Sequence, residues 1–342
     1  MHPFQVPLTI GVTGHRQIAG DCTAKIEAAV HSILDDVRTK APEAPLLLLT
    51  GLAEGADRLV ARIASERYSA ELVVVLPRPA ANYRGDFETQ ESKTEFDRLL
   101  ASARLVVTAP AQGPVADATV GYAWAGNFTA LHSHLLIALW DGDAGRGDGG
   151  TAQVVQAKLK GRYAGWNEGE PLQYDEGGPI AHVVTARAGE TPPAGVGQTH
   201  WLYSDTVKIG ARGGNRHHAA ILSAFNTLNR LLKHAGRTRD GWISDSVAPN
   251  VQALKMAADH LASQFQRRTN IAVRLMVLAT FVAALASALH GAMAPIVTTT
   301  ALAMGLAVWV YSTRSRWQRL HADLRALAEA GRIQDAWIAS GL

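Results

Sequence analysis

LTIGVTGHR, residues 8–16, decides the fold. Its apolar start, ending in Gly11-Val12-Thr13-Gly14-His15-Arg16, has the form of a first parallel strand that delivers a glycine turn and two cationic side chains to the carboxyl end of a sheet. In open α/β sheets that is where ligands bind. A second run, LLLLTGLAEGADRLV at 46–60, pairs with it. There a buried-strand pattern leads through Thr50-Gly51 to Glu54-Gly55-Ala56-Asp57-Arg58, which opens a helix. Two such turns side by side predict a pocket for an anion.

Working outward, short continuous apolar runs at 8–13, 46–50, 72–76, 105–109, 135–140 and 180–185 read as strands. Helical spacing fills the intervals 23–39, 56–69, 88–101, 119–132 and 151–159. Continuous rather than alternating apolar strands need cover on both faces, so the expected class is α/β with a doubly wound, Rossmann-like parallel sheet. The stretch 161–178 breaks both periodicities and reads as an inserted loop. Gly and Pro then become dense from 188 to 215, as in a linker. Expected domains are therefore a ligand-binding domain at 1–187, an adaptor with one helix at 188–249, and a helical membrane domain at 250–342.

Between residues 275 and 313 the chain has no Asp, Glu, Lys or Arg. A charge costs several kcal/mol at a bilayer centre, so such a tract is expected of lipid-facing helices. His290-Gly291-Ala292-Met293-Ala294-Pro295 divides it into passes at about 275–291 and 296–312, each near the short end of the ~17–25 residues that span a bilayer. A buried hairpin in a soluble core is the alternative, but the tract is longer and less charged than a core helix requires. Arg267, Arg268 and Arg274 precede the first pass, and Arg314, Arg316 and Arg319 follow the second, with no basic residue in the turn. The positive-inside rule then predicts a multi-pass membrane protein with both termini cytoplasmic. Small residues at Ala279, Ala283 and Ser287, and at Ala301 and Gly305, would let helices approach closely within the hairpin or between subunits of a homo-oligomer.

Other classes lose support. The net charge of +3 is small and its basic residues are scattered outside the tail, so no nucleic-acid partner is expected. The single cysteine, Cys22, excludes an internal disulfide and fits a reducing compartment. Neither G-x-x-x-x-G-K-[ST] nor G-x-G-x-x-G follows the first strand, so the ATPase and dinucleotide-dehydrogenase readings lose their main support. His132 and His134, and His217 with His218, have no nearby acid or cysteine set, so neither a metal nor a cofactor is expected.

A third glycine turn follows the fifth strand, from Asp141-Gly142 to Gly149-Gly150-Thr151 before a helix. Helix-start N–H groups and the helix dipole favour phosphate, and glycine permits its close approach. Candidate ligand-binding residues are thus Gly14, His15, Arg16, Thr50, Gly51, Glu54, Gly55, Asp57, Arg58, Asp141, Gly149, Gly150 and Thr151. His15, Arg16 and Arg58 would supply cationic contacts, and Glu54, Asp57 or Asp141 would hold ribose hydroxyls. Tyr122 and Trp124 are candidates to stack on a base, and the segment from Pro77 to Phe87 is a candidate lid.

These motifs, GVTGHR at 11–16, TGLAEGADR at 50–58, and LWDG at 139–142 with GGTA at 149–152, resemble the SLOG superfamily of Rossmann-like ligand-binding domains. The segment from Ala257 through the hairpin to Leu342, with Arg325, Glu329, Arg332 and Gln334 in its last helix, resembles the SLATT two-helix membrane effector, which occurs fused to SLOG domains in prokaryotic conflict systems. The resemblance implies a sensor of a nucleotide or nucleotide-derived signal whose membrane module assembles and perforates the bilayer. LOG-type phosphoribohydrolases continue the turn as Gly-Gly-x-Gly-Thr-x-x-Glu, whereas here Ala152-Gln153-Val154-Val155 follows Thr151. The missing acid argues for binding over turnover. The alternatives are a membrane-tethered nucleotide hydrolase using Glu54 or Asp57 as its acid, and a housekeeping nucleotide-gated channel.

Overall fold

A computed structural model describes residues 5–110, 118–143, 150–161, 178–204, 217–237, 249–288 and 293–340. Gly149, the interior of the loop read at 161–178, residues 205–216 of the linker and the hairpin turn at 289–292 lie outside the described residues. By internal contacts the chain divides into a sheet unit, Pro7–Asn226, and a helical unit, Thr227–Leu342 with Met1–Val6.

The sheet unit is α/β. Strands β1 (Leu8–Gly14), β2 (Leu46–Thr50), β3 (Glu71–Leu76), β4 (Leu105–Thr108), β5 (Leu135–Trp140), β6 (Ile180–Val184) and β7 (Thr199–Leu202) form one sheet in the order β4-β3-β2-β1-β5-β6-β7. All neighbours pair in parallel except β6 and β7. The chain steps outward from β1 to β4, then returns to pair β5 with the other side of β1. At that reversal the connections leave in opposite directions, which opens a crevice beyond the carboxyl ends of β1 and β5.

Alternate side chains of each strand serve opposite faces, and both faces are covered. Ile10, Leu48, Val74 and Ile137 pack beneath α1 (Thr23–Lys40), α2 (Ala56–Tyr68) and α4 (Gln90–Ala101). Leu49, Val75, Leu136 and Ala138 pack beneath α5 (Ala118–His132) and α6 (Thr151–Lys160). The six expected strands and five expected helices of this half all form. Two elements were not legible. The proposed lid contains the one-and-a-half-turn α3 (Ala80–Arg84), and its Tyr83 and Phe87 are buried against Phe96 as part of the core. The start of the expected linker is ordered too: β7 pairs antiparallel with β6, and the Ala188 amide donates to the Gln17 carbonyl.

In the helical unit, α8 (Pro249–Ala288) runs unbroken for 40 residues, about 60 Å at 1.5 Å per residue. Its first half forms a bundle with α10 (Trp317–Ser340) and the end of α7 (His217–Arg237), around Leu232, Leu261, Phe265 and Leu324. Lys255 pairs with Asp335, and Arg325 and Arg332 pair with Asp259. Beyond this bundle α8 packs on α9 (Ala294–Arg314) through small residues: Ala283, Ala286 and Ala301 are buried, and a Cβ on Gly305 would lie 3.3 Å from that of Ala279. Both helices are long and apolar enough to cross a membrane. Leu278, Phe281, Leu285, Met304 and Leu306 project outward, more than half exposed.

Candidate functional site

A cavity of about 890 Å³ lies at the carboxyl ends of β1, β2 and β5, within the ~300–1,000 Å³ range of small-molecule sites. Gly14, His15, Arg16, Gly51, Glu54, Asp57, Gly150 and Thr151 line it, joined by Tyr83, Tyr122, Trp140 and Arg187. Thr50, Gly55, Arg58 and Asp141 are not among its lining residues. Gly55 and Arg58 instead line an adjoining cavity of about 870 Å³, together with Arg16, Glu54, Ser92 and Glu95.

The β1 and β2 turns are locked together. The His15 amide donates to the Leu139 carbonyl at 3.0 Å, and the Ala56 amide donates to the His15 carbonyl at 3.0 Å. A Cβ on Gly14 would lie 2.5 Å from the Leu139 carbonyl oxygen, and one on Gly55 would lie 2.3 Å from that of Arg16. These glycines are therefore required for the close approach of the chain's own backbone. Between them, Leu52 is fully buried at φ 53°, a left-handed conformation that costs a side chain about 1–3 kcal/mol. Three neighbours over-determine it. Thr50 Oγ1 accepts from the Leu52 amide at 3.0 Å, Arg58 Nε donates to the Leu52 carbonyl at 3.0 Å, and Asp57 Oδ2 accepts from the Gly51 amide at 3.1 Å.

Arg58 departs from the expected placement in the main cavity. Its guanidinium is buried away from the main cavity, donating to the Ser92 carbonyl at 2.9 Å and lying 4.3 Å over the Phe87 ring. Asp57 does face the cavity, and burial pushes its carboxyl up to about 6, against the pull of the Ala53 and Gly51 amides and of Arg16 and Arg58.

His15 also departs from expectation. Its Nε2 accepts from the Asp141 amide at 3.0 Å, which requires a lone pair there. Burial holds the imidazole below its usual range, outweighing the Asp141 carboxylate 3.1 Å away. That carboxylate is already matched by Arg187, whose Nε donates to Oδ2 at 3.0 Å. His15 is thus a neutral strut between β1 and β5, and Asp141 is paired with Arg187.

Arg16 remains. Its guanidinium lies 5.1 Å over the Tyr122 ring and feels Asp57, but has no carboxylate at ion-pair distance among the described residues. Tyr122 in turn donates to Asp86, which also takes Arg78, so the platform beneath the guanidinium is fixed. Across the cavity, α6 starts at Gly150, with no side-chain cap among the described residues. Its leading N–H groups and dipole therefore favour an anion. Glu54 and Glu88 line the same space and can accept from hydroxyl or amino groups. The arrangement suits a ligand with an ionised, phosphate-like end and a hydrogen-bonding body.

Trp124, the other stacking candidate, stacks on Phe128 at 5.2 Å, partly buried against the core. Tyr83 of the candidate lid and Trp140 of the LWDG motif also line the cavity, whereas Arg187 belongs to no motif read from the sequence. Arg187 was findable, because it falls just beyond β6, beside the strand that carries Asp141. Compared with models of known families and with curated proteins, the chain matches none.

Proposed function

We propose that the chain is a SLOG-type sensor with a Rossmann-like ligand-binding domain, joined to a SLATT-type membrane effector. A nucleotide-derived anionic ligand occupies the cavity, and its preference for one arrangement of the protein shifts a homo-oligomer of hairpins toward a state that perforates the bacterial inner membrane, in antiphage or related conflict defence. The shift is limited by the ligand's differential affinity for the two states. Both termini face the cytoplasm, where nucleotides are available. The observation that carries this reading is Arg16, a cation with no carboxylate at ion-pair distance among the described residues, in the same cavity as the glycine-led start of α6.

A second reading, nucleotide hydrolysis, draws on Asp57, whose raised carboxyl pKa is the kind of perturbation found in general acids. Its Oδ2 already serves two backbone amides, which favours a positioning role.

The test is dye release from vesicles of phosphatidylethanolamine and phosphatidylglycerol carrying the full chain, challenged with nucleoside mono- and diphosphates, ADP-ribose and cyclic dinucleotides. At least one compound is expected to release dye, and Arg16→Glu is expected to insert normally and release none. No release with any compound, or equal release from the variant, overturns the proposal. Free base accumulating in the same mixtures would favour hydrolysis.

A further inference from the structure

Between Asp259 and Asp323 the chain carries six arginines, no lysine and no carboxylate. The arginines are Arg267, Arg268, Arg274, Arg314, Arg316 and Arg319, and all six are exposed. None is ion-paired among the described residues; Arg319 feels Asp323 one turn on, and Arg268 lies 5.5 Å over the Phe265 ring. Farther along the same helices the pattern reverses. Lys255, Arg325 and Arg332 are each matched to a carboxylate.

The helix register brings the six to one level. His321 Nδ1 lies 3.0 Å from the Ala262 carbonyl, and Gly305 sits against Ala279, so α9 and α10 both run antiparallel to α8. Arg319, Arg316 and Arg314 then stand about level with Gln264, Arg267 and Thr269. With Arg274 as the far limit, the arginines occupy a band about 15 Å deep along α8, at 1.5 Å per residue. Apolar helix lies on one side of the band and the ion-paired bundle on the other. Trp309 and Tyr311, both more than half exposed, belong to the same band, and Tyr311 meets Trp317 edge-on at 5.4 Å.

Arg316 adds an independent sign. It links α9 to α10 at φ 53°, a conformation in which glycine is lower in energy than any residue with a side chain. An arginine held there, with no ion partner among the described residues, points to a use for its charge outside the fold.

We propose that this collar binds the phosphodiester headgroups of anionic phospholipids in the leaflet beside the bundle. The inference rests on the hairpin crossing a bilayer. Arginine's planar fork grips phosphate through two parallel N–H bonds, which a lysine cannot reproduce. Each basic residue at an anionic surface strengthens association about fivefold.

The test is electron spin resonance of the full chain in phosphatidylcholine bilayers, containing spin-labelled phosphatidylglycerol in one sample and spin-labelled phosphatidylcholine in the other. The motionally restricted fraction is expected to favour phosphatidylglycerol about fivefold, and high salt should shrink the ratio. Arg316→Gly should lower it further while leaving the thermal midpoint unchanged or raised, since it relieves the strained link. A ratio near one overturns the collar proposal but leaves the hairpin in the membrane. No restricted component with either lipid removes both.

Discussion

Replacing Gly55 by alanine is expected to destabilise the sheet unit by more than about 3 kcal/mol, the sum of an unfavourable left-handed conformation and a severe overlap. The backbone there has φ 75°, and the new Cβ would lie 2.3 Å from the Arg16 carbonyl oxygen and 2.4 Å from that of His15. Neither oxygen can retreat freely. The His15 carbonyl accepts the Ala56 amide, and its residue is pinned to β5 through Leu139 and Asp141. At roughly 2–4 °C per kcal/mol for a domain of this size, the thermal midpoint should fall by about 6–12 °C or more. Gly20→Ala is the control, because its Cβ would meet nothing within 4 Å, and it should shift the midpoint by little. Equal midpoints for the two variants would show that the contact between the β1 and β2 turns does not organise this edge of the sheet.

The second large effect is at Arg58. Arg58→Met removes the donor to the Leu52 carbonyl, the donor to the Ser92 carbonyl and the charge over Phe87. Hydrogen bonds from a charged group contribute about 1.5–3 kcal/mol each, so a loss of about 3 kcal/mol is expected even after relief of the guanidinium's desolvation. Arg58→Lys should recover little, since one ammonium cannot reach both points that Nε and Nη1 hold. Below its melting range Arg58→Met should still take up ligand. Arg16→Glu should do the opposite, with an unchanged midpoint and no ligand, and the pair of variants therefore separates positioning from contact. Unaltered stability in Arg58→Met would mean that Leu52 holds its strained turn without that guanidinium.

That contrast shows how far the sequence could be read. The strands were legible because a parallel sheet covered on both faces writes its strands as unbroken apolar runs, as in Leu46–Thr50 and Leu135–Trp140. β7 was not, because Thr199–Leu202 is a four-residue edge strand set among glycines and pairs with only one neighbour. A cavity at the carboxyl ends of the strands was legible from the glycine turns there. The roles within it were not, since motif spacing says nothing of which way a side chain turns. Arg16 and Arg58 look equivalent in sequence, yet one lines the main cavity and the other is buried beneath α4. His15 looks cationic until the Asp141 amide is found pointing at its Nε2. Glycines 14 and 55 look like phosphate glycines, but what approaches them is a carbonyl or a Cβ of the chain itself. The two apolar helices were legible at once, because an uncharged tract of that length leaves few alternatives.

Hydrogen–deuterium exchange of the full chain in lipid nanodiscs, with and without the panel of nucleoside phosphates, tests occupancy of the cavity most directly. At least one compound is expected to slow exchange together at residues 14–17, 51–57 and 150–154, and to slow none of them in Arg16→Glu. Exchange at those amides that no compound slows, or protection that persists in the variant, would contradict the account.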